Sequence, residues 1–193
     1  MGAVYEALDR EQNARVALKT LLKLTPDSIA LFKREFRALQ DVRHPNLVSL
    51  GELFDVDGSW FFTMELVEGT DFFSWVRPGL DEPPPDGLGS GVFAPRGRLD
   101  EERLRAGLIQ LARGLDALHA AGKVHRDIKP SNIRVTSAGR VALLDFGLIA
   151  ETTVDDRVSL ETVVGTVIYM APEQAQGAAV GPAADWYAVG VVL

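Results

Sequence analysis

Cysteine is absent from the 193 residues, which excludes disulfides, thiol nucleophiles and thiolate metal sites. Histidine is scarce: the three, His44, His119 and His125, are spread along the chain and predict no histidine-rich metal site. Basic charge is in deficit, with 20 Lys and Arg against 27 Asp and Glu. The resulting net charge of -7 argues against a nucleic-acid partner, which asks for a basic face. Apolar runs never approach the length of a membrane span, and no charged-then-apolar leader opens the sequence. The expectation is a soluble, cytoplasmic segment with no membrane partner. What remains is ordinary globular composition, 47% hydrophobic and 24% charged, enough to bury a core in one large domain or two small lobes.

The stretch His125-Arg126-Asp127-Ile128-Lys129-Pro130-Ser131-Asn132 concentrates an acid, an amide, two cations and a proline. An apolar strand, Val141 to Leu144, follows and runs into Asp145-Phe146-Gly147. Upstream, Met1 to Ala7 and Val16-Ala17-Leu18-Lys19 read as strands around the polar turn Asp9 to Asn13. A helix follows, with Thr25 as N-cap, Pro26 in the first turn and Asp27 at the positive helix start. Leu31, Glu35, Leu39 and Val42 recur on one face of it, so Glu35 needs a cation, and Lys19 is the natural one. His44-Pro45-Asn46 breaks the helix, a strand starts at Leu47, and Trp60 to Val67 is a further apolar strand. Residues 77–98 are crowded with proline and glycine and read as a surface insertion. From Asp100 an amphipathic helix carries Leu104, Leu108, Leu111, Leu115 and Leu118 on one stripe and ends at Gly122.

HRDIKPSN, DFG at 145–147 and VALK at 16–19 together make the chain resemble the eukaryotic-type Ser/Thr protein kinases, over nearly all of its length. The resemblance implies an α+β, bilobal fold. Residues 1–67 would form a small antiparallel-sheet lobe with its helix. Residues 68–193 would form a partial, mainly helical large lobe that holds the 77–98 insertion and stops within a helix. ATP and Mg²⁺ are the implied cofactors. Gly2, Val4 and Ala17 would cover the nucleotide, and Lys19, paired with Glu35, would hold its phosphates. Met64 would be the gatekeeper, Glu65 to Val67 the hinge, and Asp71 the acid near the ribose. Asp127 would accept the hydroxyl proton and Lys129 would neutralise charge on the transferring phosphoryl. Asn132 and Asp145 would ligate Mg²⁺, both being hard oxygen donors. Thr162 matches the activating phosphorylation position, with Arg126 as its phosphate partner, and Thr166 belongs to the substrate platform. Leu39, Leu50, His125 and Phe146 would stack in the interior, tied down by Asp185.

Three features depart from the pattern. The first strand and two glycines of the nucleotide-covering loop are missing, so Met1 reads as an internal residue of a longer frame. The chain stops at Leu193, before the later helices. Arg134 stands where a leucine usually lies under the adenine. The implied activity is transfer of the ATP γ-phosphoryl to Ser/Thr hydroxyls of proteins, with self-association for autophosphorylation. The rivals are a nucleotide-binding scaffold without catalysis and a small-molecule kinase of the same fold.

Overall fold

The computed structural model describes residues 3–21, 25–79, 98–145 and 168–193; within helix 26–40 the side chains of residues 27, 28, 31, 34, 35 and 38 lie outside that description. Two strands open the chain, β1 (Val4–Asp9) and β2 (Ala14–Thr20). Their turn is shaped by Asp9, whose carboxylate accepts from the amides of Glu11 and Gln12. Helix α1 (Pro26–Gln40) follows, then β3 (Leu50–Val56) and β4 (Ser59–Glu65). Asp57 and Gly58 join these two strands, both with positive φ (51° and 77°), which is the backbone a two-residue hairpin turn requires. The strands pair antiparallel in the order β1-β2-β4-β3.

Helix α1 lies on this sheet through Phe32 and Phe36. Both rings meet Phe62 of β4, at 5.4 Å and 5.5 Å between centroids, and Phe62 is fully buried. Leu39 and Val42 pack against the same core, as the apolar stripe predicts. The two phenylalanines carry the contact, although they were not part of that stripe.

The second module opens with β5 (Thr70–Asp71) and a short helix α2 (Phe72–Val76), and continues through α3 (Glu101–Ala120). Asp100 caps α3 by accepting from the Arg103 amide, and Gly122 (φ 71°) ends it, both as the sequence predicts. A 3₁₀ turn (Pro130–Asn132) leads into the hairpin β6 (Ile133–Val135) and β7 (Val141–Leu143). These strands pair in the order β5-β6-β7. Gly69 admits that pairing, since a Cβ there would fall 2.0 Å from the Val135 carbonyl oxygen. Two further helices, α4 (Pro172–Ala175) and α5 (Pro182–Val192), close the described chain. Leu111, Leu115 and Leu118 of α3 join Ile128, Ile133 and Leu143 in a core continuous with that under the first sheet.

The modules are stitched along the loop after α1. Val48 donates to Leu143 and Leu143 to Asn46 (3.0 and 2.9 Å), so Leu47 bridges to β7 rather than opening a regular strand. Among the described residues no helix is long and apolar enough to cross a membrane.

Candidate active site

The loop His125–Asn132 is held from below by one buried carboxylate. Asp185 of α5 is 1% exposed and accepts from the amides of His125 and Arg126, at 2.8 Å each, and lies 2.7 Å from the His119 ring. Arg126 is thereby fixed in the left-handed region at φ 66°, a conformation costly for a side chain and sustained only where neighbours enforce it. Its carbonyl also accepts from the Gln174 side chain. The turn that follows aims Asp127 and Asn132 at each other: the Asn132 amide donates to both the carbonyl and the carboxylate of Asp127, at 2.8 Å. Lys129 pairs with the same carboxylate at 2.9 Å.

Asp145 arrives from the other side. The Leu144 amide donates to the Asn132 carbonyl (2.8 Å), and the His125 ring meets the Leu144 carbonyl at 2.7 Å, so the two loops are fastened immediately before Asp145. Asp145 is also left-handed (φ 49°), which turns its carboxylate toward β2, where Lys19 meets it at 2.6 Å. The Lys19 side chain is 14% exposed and that of Asp145 33%, so the pair spans the two modules largely out of water. Two pairs result, Asp127 with Asn132 and Lys19 with Asp145, and the Leu144–Asn132 backbone bond holds them near each other.

Glu35, the expected partner of Lys19, sits in α1, but its side chain is outside the described residues, as are Gly2, Phe146, Thr162 and Thr166. Ala17 is buried opposite Met64, also buried, at the β2–β4 register. Val4 is half exposed on β1. Val67 follows β4 in the connection to β5, partly buried. Asp71 is engaged as the N-cap of α2, accepting from the Ser74 amide and hydroxyl at 3.0 and 2.7 Å. Arg134 lies on β6 between Asp71 and Ala142 in the strand register. Sequence reasoning missed Arg140, which binds both carboxylate oxygens of Glu65, one at 3.0 Å. Nothing in a lone arginine after a turn distinguishes it; the signal is three-dimensional.

The donor set suits a hard divalent cation. The Asn132 nitrogen is committed to Asp127, which leaves its amide oxygen to offer, and Asp145 supplies a carboxylate. Magnesium is typically held by one or two carboxylates together with substrate phosphates. Among the described residues there is no cluster of three His, Cys, Asp or Glu that could hold a metal.

The model of the protein kinase domain family matches residues 1–193, the whole chain. The chain belongs to that family. This kinase chain is 35% identical over 196 residues to the serine/threonine-protein kinase PknE of Mycobacterium bovis, spanning 100% of its own length and 32% of the relative's. It is 34% identical over 200 residues to PknA of Mycobacterium tuberculosis, of which it spans 42%. It thus covers less than half the length of these curated relatives. Among solved structures, the kinase domain of PknI from Mycobacterium tuberculosis superposes with a TM-score of 0.63 at 27% identity, covering 100% of this chain and 66% of that one. The α+β kinase-like fold expected from the sequence is borne out. Protein kinases as a family use ATP and Mg²⁺.

Proposed function

We propose that the chain carries the phosphoryl-transfer site of a protein serine/threonine kinase, with the boundary between its two lobes near Val67. The pairing of Asp127 with Asn132 and of Lys19 with Asp145, joined by the Leu144–Asn132 backbone bond, is the observation that supports this reading. The similarity to PknE and PknA supports a protein substrate rather than a small alcohol.

Phosphoryl transfer requires alignment and charge stabilisation more than covalent help. Asp127 orients the incoming hydroxyl and accepts its proton on a carboxylate oxygen. Asn132 keeps that carboxylate in place through its amide. Lys129, already on Asp127, is placed to balance negative charge on the transferring group. Lys19 is the cation for the nucleotide phosphates and can exchange its contact with Asp145 for them. Asp145 and Asn132 would hold Mg²⁺, which when bound offsets charge on the phosphates. Ala17 and Met64 form the buried floor of the nucleotide side, and the backbone of Glu65 to Val67 its base-binding edge. Gly2 and Val4 would cover the phosphates, Asp71 would lie near the ribose, Glu35 would support Lys19, and Thr162, Arg126 and Thr166 would serve activation and substrate docking. Autophosphorylation by self-association belongs to the same proposal.

The deciding test is Asp127→Asn in the full-length protein. Loss of a positioned general base costs about 10²–10⁴ in rate, whereas nucleotide affinity should stay within a few-fold. A variant that still phosphorylates protein at the parent rate would remove Asp127 from the mechanism.

A further inference from the structure

Arg140 has no part in the chemistry above, yet its guanidinium ties its own hairpin to two other pieces of the fold. It holds Glu65, the last residue of β4, with both prongs of the fork, Nη2 to Oε2 at 3.0 Å. Its Nε donates to the Pro45 carbonyl at 2.7 Å, in the loop after α1. Arg140 itself immediately precedes β7 of the β6–β7 hairpin, whose other end presents Asp145. A planar fork on a carboxylate fixes angle as well as distance, which a point charge cannot do. About two thirds of each side chain is out of water, with the Arg140 side chain 33% and the Glu65 side chain 30% exposed. The pair holds the Glu65 carboxyl below its ordinary pKa, so the contact persists as an ion pair at neutral pH.

The surroundings are braced to match. Asn46, 7% exposed, donates to the Val141 carbonyl (2.7 Å) and to Gln110 of α3 (3.0 Å). Gln110 in turn accepts from the Val141 amide and donates to the Gly139 carbonyl. Gly114 lets α3 come that close, since a Cβ there would meet the Asn46 carbonyl at 3.0 Å. The hairpin is therefore anchored to α3 and to the loop after α1. The contact of Arg140 with Glu65 carries that anchoring on to the end of β4, where the proposed base-binding edge begins, beside the backbone bond of the Glu65 amide to the Ser49 carbonyl (2.9 Å).

We infer that Arg140, acting through Glu65, is a positioning residue for the nucleotide: it sets the base-binding edge of β4 at the right offset from the hairpin that presents Asp145. The inference rests on the kinase reading of the cleft. Arg140 touches neither nucleotide nor reacting atoms. Its effect falls on how well base and phosphates are accommodated at the same time.

The test uses the full-length protein with Glu65→Gln, Arg140→Gln and the double variant. KM for ATP, kcat, the Kd for ATP with magnesium and the thermal midpoint are measured on each. Each single change should raise KM and Kd roughly five- to tenfold with kcat within about twofold, the pattern of lost uniform binding. The double variant should be no worse than the worse single, because the two side chains act as one unit. A purely stabilising pair would lower the thermal midpoint and leave KM and Kd within about twofold of the parent, and that result overturns the inference. Additive effects of the two singles overturn it as well. Should Arg140→Gln fail to fold, Arg140→Lys, which keeps the charge and loses the fork, is judged by the same rise in Kd. A parent that binds nucleotide but transfers no phosphoryl sinks the kinase reading alone, and the Kd series still decides the role of Arg140. A parent that binds no nucleotide overturns both.

Discussion

His125 shows how much one residue of the central loop decides. Its ring is fully buried, with Nε2 at 2.7 Å from the Leu144 carbonyl and Nδ1 accepting from the Asp127 amide at 3.2 Å. Those partners define the neutral tautomer with hydrogen on Nε2. A second proton on Nδ1 would point at an N–H. Burial pushes the ring's pKa down, more strongly than the neighbouring carboxylates, Asp185 foremost, push it up. Folding therefore takes up fewer protons at this site than the unfolded chain does once the pH falls below about 6.5. The stability due to the neutral ring is complete above that pH and is lost as pH falls toward the folded pKa, by up to ~1.4 kcal/mol per unit. His125→Phe keeps a ring of similar size and drops both hydrogen bonds. Urea unfolding should find the variant less stable at pH 7.5, with the gap to the parent closing between pH 6.5 and 5.5. His44 and His119 are common to both proteins and cancel in the difference. Parallel stability curves would mean that His125 does not fold neutral.

Among the elements, those with chemical punctuation were legible in advance. Helix α1 begins at Pro26 and α3 behind Asp100, each where cap residues and apolar period agree. Strands β1, β2, β4 and β7 likewise follow from short β-branched or aromatic runs bounded by turns, whereas β3 begins at Leu50 and not at Leu47. Helix α2 was not legible, because five residues are too few to display a period, and it survives on the Asp71 cap and on tertiary contact. That contact is with α3: a Cβ at Gly107 would lie 2.4 Å from the Phe72 ring, and Phe72 is 1% exposed. In an isolated helix, glycine to alanine stabilises by roughly 1 kcal/mol. Here the sign should reverse. Gly107→Ala must push Phe72 and α2 outward, an overpacking cost of about 1–3 kcal/mol. Denaturant unfolding of Gly107→Ala that shows equal or greater stability would mean that α2 does not sit against α3 as described.

At the scale of the molecule, the motifs single out Lys19, Asp127, Asn132 and Asp145 one by one, and the fold supplies the pairing of Lys19 with Asp145. The spacing of Asp127 and Asn132 is local, so a motif could place them together. The contact of Lys19 with Asp145 spans 126 positions and depends on how two sheets are stitched through Asn46, Val48 and Leu143. No periodicity reveals such a contact. A ligand that binds only the assembled cleft must therefore stabilise both modules at once. At a hundred times its Kd it adds ~2.7 kcal/mol to the unfolding free energy. For a protein of this size that is roughly 5–10 °C in the thermal midpoint. ATP with magnesium should produce a shift of this order, and ATP with a chelator a smaller one, since on the proposed reading Asp145 and Asn132 would then lack the cation they would hold. Lys19→Met should act twice. It strands the Asp145 carboxylate, two thirds buried, without its cation, which lowers the midpoint of the unliganded protein. It also removes the cation that the phosphates would meet, so the nucleotide-induced shift should shrink to a small fraction of the parent's. Scanning fluorimetry on parent and variant, with and without magnesium, separates the two effects. An undiminished shift in Lys19→Met would place the nucleotide somewhere other than between the two sheets.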